Sequence, residues 1–175
     1  MKPFFCVTLA AIIFIFPSSV MAQKKQHTRP GQNGNTSSPK GITIHQEIEF
    51  KAGPQRLYET LLSSKKFSEC TKLSFGNFTA MSADIDPVVG GAFSLFDGHI
   101  VGRIVELVPN KRIVEAWRVV DWPEGVYSIA RFEFTPLGTG TKLVFDHTGF
   151  PDGLKEHLST GWTQHYWEAL NKYLR

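Results

Sequence analysis

From Leu154 to Tyr173 the large apolar residues return once per helical turn: Leu154, Leu158, Trp162, Tyr166, Ala169, Leu170 and Tyr173. Spacings of i, i+4, i+8 and i+12, then i+15, i+16 and i+19, define one stripe along a helix of about five or six turns. Trp162 is its bulkiest member. A stripe that wide must be covered by something else in the fold, and the residues before it supply the cover. They read as strands, each with one apolar face.

Ile42, Ile44, Ile48 and Phe50 alternate with Thr43, His45, Glu47 and Glu49, which is a strand with one buried face and places His45 on the wet side. Gly53-Pro54 opens a helix, because proline suits the first helical position. Leu57, Tyr58, Leu61 and Leu62 form its apolar face up to Ser63-Ser64, and a second short helix is expected over Lys65 to Thr71. Strand candidates follow at Phe78 to Asp84, Ala92 to Phe96, Ile100 to Leu107, Arg112 to Val120, Tyr127 to Thr135 and Thr141 to Thr148. Asp97-Gly98 signals a two-residue hairpin, and Pro109-Asn110, Pro123-Glu124-Gly125 and Gly138-Thr139-Gly140 mark further turns. Strand, two short helices, antiparallel hairpins and a closing helix make an α+β domain. Packing the helix across the concave face of a curved antiparallel sheet buries both apolar surfaces together.

The domain is expected to begin near Gly41. Before it, Lys2 and the uncharged run Phe4 to Phe16 have the makeup of a secretory leader (1–22), with Pro17-Ser18-Ser19 breaking the helix and Val20-Met21-Ala22 offering small side chains for cleavage after Ala22. The run is short of the ~20 apolar residues a spanning helix needs. Cys6 lies too early to be a lipoprotein attachment site. Export to the periplasm or the medium is therefore expected, with membrane contact only in transit. Residues 23–40 are nearly devoid of large apolar side chains and read as a disordered linker. After cleavage Cys70 is the one remaining cysteine, so no internal disulfide can form, and a buried thiol is the expected state. Net charge is +3 with both signs interspersed, which excludes a nucleic-acid footprint.

Several strings in this order resemble one family. They are His99-Ile100-Val101-Gly102-Arg103, Glu106 through Val114, Trp117-Arg118, Asp121 through Gly125, Phe132 through Pro136, Gly140 through Leu143, His147 through Pro151, Gly161-Trp162, Tyr166-Trp167 and Leu170 through Leu174. Over Gly41 to Arg175 the chain resembles the C-terminal domain of activators of heat-shock protein 90 ATPase and their bacterial homologues. That group belongs to the SRPBCC (START-like, helix-grip) superfamily. The resemblance implies a helix-grip fold whose sheet and long helix enclose a cavity, often for hydrophobic ligands. It carries over no shared catalytic residues, and fold alone does not give function. An exported chain would also not meet the cytosolic chaperone.

The candidate cavity-lining residues are Trp117, Phe132, Phe134, His147, Trp162 and Tyr166, each weighed against simple core packing. His147, on the inward face beside Phe145, is read either as a group that orients a ligand's polar end or acts as a base, or as a buried histidine paired with backbone. Asp146 points outward, so it does not complete a dyad. His157 and His165 are eight apart, whereas helical metal pairs sit three or four apart. Arg118 and Arg131 are expected on a solvated sheet face. No serine elbow, phosphate loop, zinc motif, cofactor motif or catalytic set is legible. Three readings remain: a module holding a small hydrophobic or amphipathic molecule or lipid, a protein-interaction domain without ligand, or a cyclase- or hydrolase-type enzyme. The last needs a polar pair inside the cavity, which His147 alone does not make.

Overall fold

The computed structural model describes residues 42–74 and 81–175. The expected leader, its cleavage point and all of the linker lie outside the described residues, as do residues 78–80 of the strand expected at Phe78 to Asp84; of its described part only Asp84 is in a strand, which starts there rather than ending. Seven strands form one antiparallel sheet: β1 (Thr43–Phe50), β2 (Asp84–Ile85), β3 (Ala92–Leu95), β4 (Ile100–Val108), β5 (Arg112–Val119), β6 (Ser128–Leu137) and β7 (Gly140–Thr148). Their order across the sheet is β1-β7-β6-β5-β4-β3-β2. Helices α1 (Pro54–Leu62) and α2 (Ser64–Thr71) follow β1. The chain closes with α3 (Lys155–Gly161), a π-helical segment (Trp162–Trp167) and α4 (Glu168–Tyr173). This is the α+β helix-grip architecture expected from the sequence.

Local signals explain most of the boundaries. Pro54 occupies the first turn of α1, and the Ser63 hydroxyl accepts the Lys66 N–H at 3.3 Å to cap α2. Between Ile104 and Glu106 the β4–β5 register slips by one residue and leaves Val105 exposed, a bulge that bends the strand. The β3–β4 connection departs from expectation. Leu95 pairs with Ile100, so the loop has four residues rather than two, and Phe96, Asp97 and Gly98 all carry positive φ. Phe96 tolerates φ 52° because its ring is buried against Phe67 and Tyr166. Asp97 holds the loop by accepting the Ser82 N–H and hydroxyl, each at 2.7 Å.

The sheet's inner face buries Ile44, Phe93, Ile104, Ile113, Trp117, Phe132, Phe134, Leu143 and Phe145. Ile42 does not join them, since it precedes the first paired residue and stays 43% exposed. The outer face carries charge. Ion pairs run from Glu47–Lys142 and His45–Asp146 through Asp146–Arg131 to Arg112–Glu106, the last two at 2.7 and 2.6 Å. Exposed pairs of this kind contribute little to stability, roughly 0–1 kcal/mol each, but they keep one face wet. Asp146 thus points outward, and Arg131 is solvated, as expected. Arg118 instead folds over its turn, donating to the Trp122 carbonyl at 2.6 Å and lying above the Tyr127 ring.

The final helix lies on the inner face, and its π segment decides which rings reach the core. In a regular α-helix Trp167 would sit about 140° round the axis from Trp162. Here the Glu168 N–H donates to the Thr163 carbonyl five residues back, and the wider turn places Trp162, Tyr166 and Trp167 inward together. Trp162 packs on Phe145 at 4.3 Å and on Tyr166 at 4.2 Å between ring centroids. Tyr173, expected in the stripe, is only partly buried and donates to Glu69 at 2.9 Å, while Leu174 is buried in its stead.

Two substitutions test this packing. Trp162→Ala is expected to cost ~3–5 kcal/mol in denaturant unfolding, the range for a large ring removed from a packed core. Gly102 faces inward on β4, where an added methyl would strike the Phe93 ring and the Ala116 carbonyl. Gly102→Ala is therefore expected to cost ~1–3 kcal/mol, and a neutral result would mean that β3 can move away from β4.

Candidate functional site

A cavity of about 370 Å³ opens between the final helix and the β3–β5 end of the sheet. Phe96, Ile100, Trp117 and Val119 line it from the sheet side, and Leu158, Gly161, Trp162 and Tyr166 from the helix side. Nothing lies within 4 Å of where a Gly161 side chain would begin, so this glycine keeps the space open. His99 and His157, both exposed, and half-buried His165 border it as well. The volume falls at the lower end of the roughly 300–1,000 Å³ typical of small-molecule sites.

Of the six candidate residues, Trp117, Trp162 and Tyr166 border this space; Phe132, Phe134 and His147 do not. Phe132 is covered by the Trp162 and Trp167 rings, and Phe134 packs at the far end against Tyr58. His147 is fully buried with both ring nitrogens engaged. The Trp162 indole N–H donates to its Nδ1 at 3.0 Å, which leaves Nε2 to carry the proton and donate to the Ser128 hydroxyl at 2.7 Å. The Ser128 hydroxyl in turn donates to the Trp117 carbonyl at 2.8 Å. Every member of the chain is satisfied, and burial pushes the imidazole down to about 3, so it stays neutral. Side chains, not the expected backbone carbonyl, pair this histidine.

Two inward polar residues escape a reading that follows only apolar alternation. Gln46 lies between Ile44 and Ile48 on the buried face of β1. Its amide accepts the Trp167 indole N–H at 2.6 Å and donates to the Ser159 carbonyl at 3.2 Å, stitching the helix to the sheet. Glu115 lies two residues before Trp117 on β5, with Ile113 and Trp117 on the same face. The period of two that turns Trp117 inward turns Glu115 inward too, and that was the available signal. Burial alone pushes its carboxyl up to about 8, with no cation close enough to oppose the rise. Glu115 and burial together raise the Tyr166 phenol. The Trp117 N–H lies near enough to that hydroxyl to offset part of the rise, yet the pair falls short of hydrogen-bond geometry.

The remaining candidates are quickly placed. Cys70 is buried, its thiol pushed up to about 12, which makes it a poor nucleophile. Among the described residues, no group of three or more His, Cys, Asp or Glu gathers as a metal site.

A seven-stranded antiparallel sheet gripping a C-terminal helix, with a half-open cavity between them, defines a START-like domain. Residues 51–175 match the family described as "Activator of Hsp90 ATPase homolog 1-like protein", and the chain belongs to that family. It is 25% identical over 154 residues to human activator of 90 kDa heat shock protein ATPase homolog 1, covering 85% of this chain and 43% of the relative. It is 34% identical over 97 residues to mouse homolog 2, covering 55% and 29% respectively. The chain thus spans less than half the length of these relatives. Among solved structures, an HSP90 activator from Plasmodium falciparum superposes with a TM-score of 0.70 at 28% identity, covering 77% of this chain and 96% of that one.

The two shifted buried groups predict opposite pH limbs. Folded Glu115 keeps a proton that the unfolded chain releases above its ordinary value near 4.3, so stability falls as pH rises from there through about 8. Folded His147 refuses a proton that the unfolded chain takes up below about 6.5, so stability falls as pH drops from 6.5 toward about 3. Glu115→Gln is expected to flatten the alkaline limb, gaining on the order of 3–4 kcal/mol at pH 9 relative to its effect at pH 5. Equal shifts at both pH values in urea unfolding would show that Glu115 is already ionised in the folded protein.

Proposed function

We propose that this domain binds a small apolar or amphipathic molecule in the cavity between its sheet and its final helix, and that it does so outside the cytosol. The observation that carries the proposal is the cavity itself: about 370 Å³ of space walled by the buried residues Phe96, Ile100, Trp117, Leu158 and Trp162. An apolar, preformed recess with few polar groups is the usual form of a small-molecule site. A π-helical segment forms part of the wall, and such segments recur at functional sites. The extracytosolic setting rests on the leader-like sequence from Lys2 to Ala22.

A second reading is that the domain acts on another protein, and the relatives' names favour it. Several are activators of heat-shock protein 90 ATPase, although they match this chain over less than half their length. Such a role needs the domain and the chaperone in one compartment.

Native mass spectrometry of the full-length chain, expressed in its own cell type, separates the readings. The ligand reading expects a co-purifying mass that disappears in Gly161→Phe, at a position that lines the recess and where a Cβ meets nothing within 4 Å. The melting temperature of that variant should hold or rise, since glycine is a poor helix former. An empty wild-type protein that accelerates ATP hydrolysis by purified heat-shock protein 90 would establish the second reading instead.

A further inference from the structure

Two buried polar groups at the inner wall of the cavity lack, among the described residues, the partners that buried groups normally have. Trp117 Nε1 and Tyr166 Oη, on rings that border the cavity, find no hydrogen-bond partner among the described residues. Glu115, on the same face of β5 as Trp117, is 9% exposed and lies close enough to Tyr166 for its charge to act on the phenol. The surroundings offer no relief. Phe67, Phe96 and Trp162 enclose the Tyr166 ring at centroid distances of 5.6, 5.5 and 4.2 Å. Elsewhere the same core satisfies its polar groups closely, as in the chain from Trp162 through His147 and Ser128 to the Trp117 carbonyl. A core that pairs His147 completely yet leaves Trp117 Nε1 and Tyr166 Oη unpaired among the described residues has polar capacity open to a ligand.

Resting on the binding reading above, we propose that this wall recognises the uncharged oxygen, carbonyl or hydroxyl, of an amphipathic ligand whose apolar part fills the cavity. Trp117 Nε1–H and Tyr166 O–H donate to that oxygen, and Glu115 stands behind them. The charge of the surroundings selects a neutral group. Among the described residues no Lys or Arg lines the cavity, so an anionic head at the inner wall would be buried without a counter-charge. A cationic head would leave the indole N–H facing another donor, because indole nitrogen cannot accept. A neutral oxygen accepts from both rings. The ionisable side chains that line the cavity, His99, His157 and His165, leave the Glu115 end without a compensating cation.

The test uses the full-length chain and three probes of equal chain length: octan-1-ol, octan-2-one and octanoate, titrated at pH 7.5 by calorimetry. The alcohol and the ketone are expected to bind at least tenfold more tightly than octanoate. Tyr166→Phe keeps the packed ring and removes one donor. It should weaken the two neutral probes by about 3- to 10-fold, the range for one hydrogen bond, and leave octanoate unchanged. Comparing probes within one variant cancels any general loss of folding. Octanoate binding as tightly as the neutral probes would overturn the assignment. So would a Tyr166→Phe effect equal on all three probes, or absent, which is the outcome if trapped water alone satisfies the wall. Failure of all three to bind would overturn the ligand reading itself, whereas binding without discrimination overturns only the role given to this wall.

Discussion

One hydrogen bond joins the two halves of this domain at their centre. The Trp162 indole, carried by the final helix, donates to a histidine on β7 that is bound in turn to a serine on β6 and through it to a carbonyl on β5. Three neighbouring strands and the helix are thereby fixed in one relative position, inside a region where water cannot compete. A purely apolar contact would let the helix slide by a fraction of a turn, because packing is not directional. A polar chain with every donor and acceptor assigned permits one register. Gln46 does the same at the β1 edge, where its amide holds Trp167 and Ser159 together.

With the helix so held, the remaining geometry follows. The π segment widens one turn so that three large rings face inward, and their bulk seals the β6–β7 half of the sheet. On the β3–β5 side no ring of comparable size among the described residues fills the gap, and Gly161 adds none. The cavity is the space left on the side where the rings stop. Its placement therefore depends on the helix being locked, since movement along the axis would carry Trp162 and Tyr166 into it.

Much of this was legible in the residues. The closing stripe, the alternation in each strand and the turn signals gave the element order and the helix-grip arrangement, because they rest on local periodicity and on pairwise burial. Two things were not legible. The π segment was hidden because backbone hydrogen-bond spacing leaves no mark on the apolar pattern, so the stripe did not include Trp167. The partition of the aromatic residues between core and cavity wall was hidden because Phe132 on β6 and Trp117 on β5 share the inner face of the sheet and a chemistry, and differ only in what covers them. Gln46 and Glu115 were within reach. Each is flanked at i±2 by residues that must face inward, and parity alone places them in the core.

The far end of the sheet has a further consequence. β2 is only two residues long, and the donors on its open side are already taken. The Ile85 N–H goes to the Ser64 hydroxyl at 2.9 Å, and the Ala83 N–H just before it goes to the Ser68 hydroxyl at 2.9 Å. Both acceptors come from α2, which stands where an eighth strand would lie. A second molecule approaching this border would meet a helix and a spent backbone rather than a free template, so the sheet cannot grow into a fibril from that side.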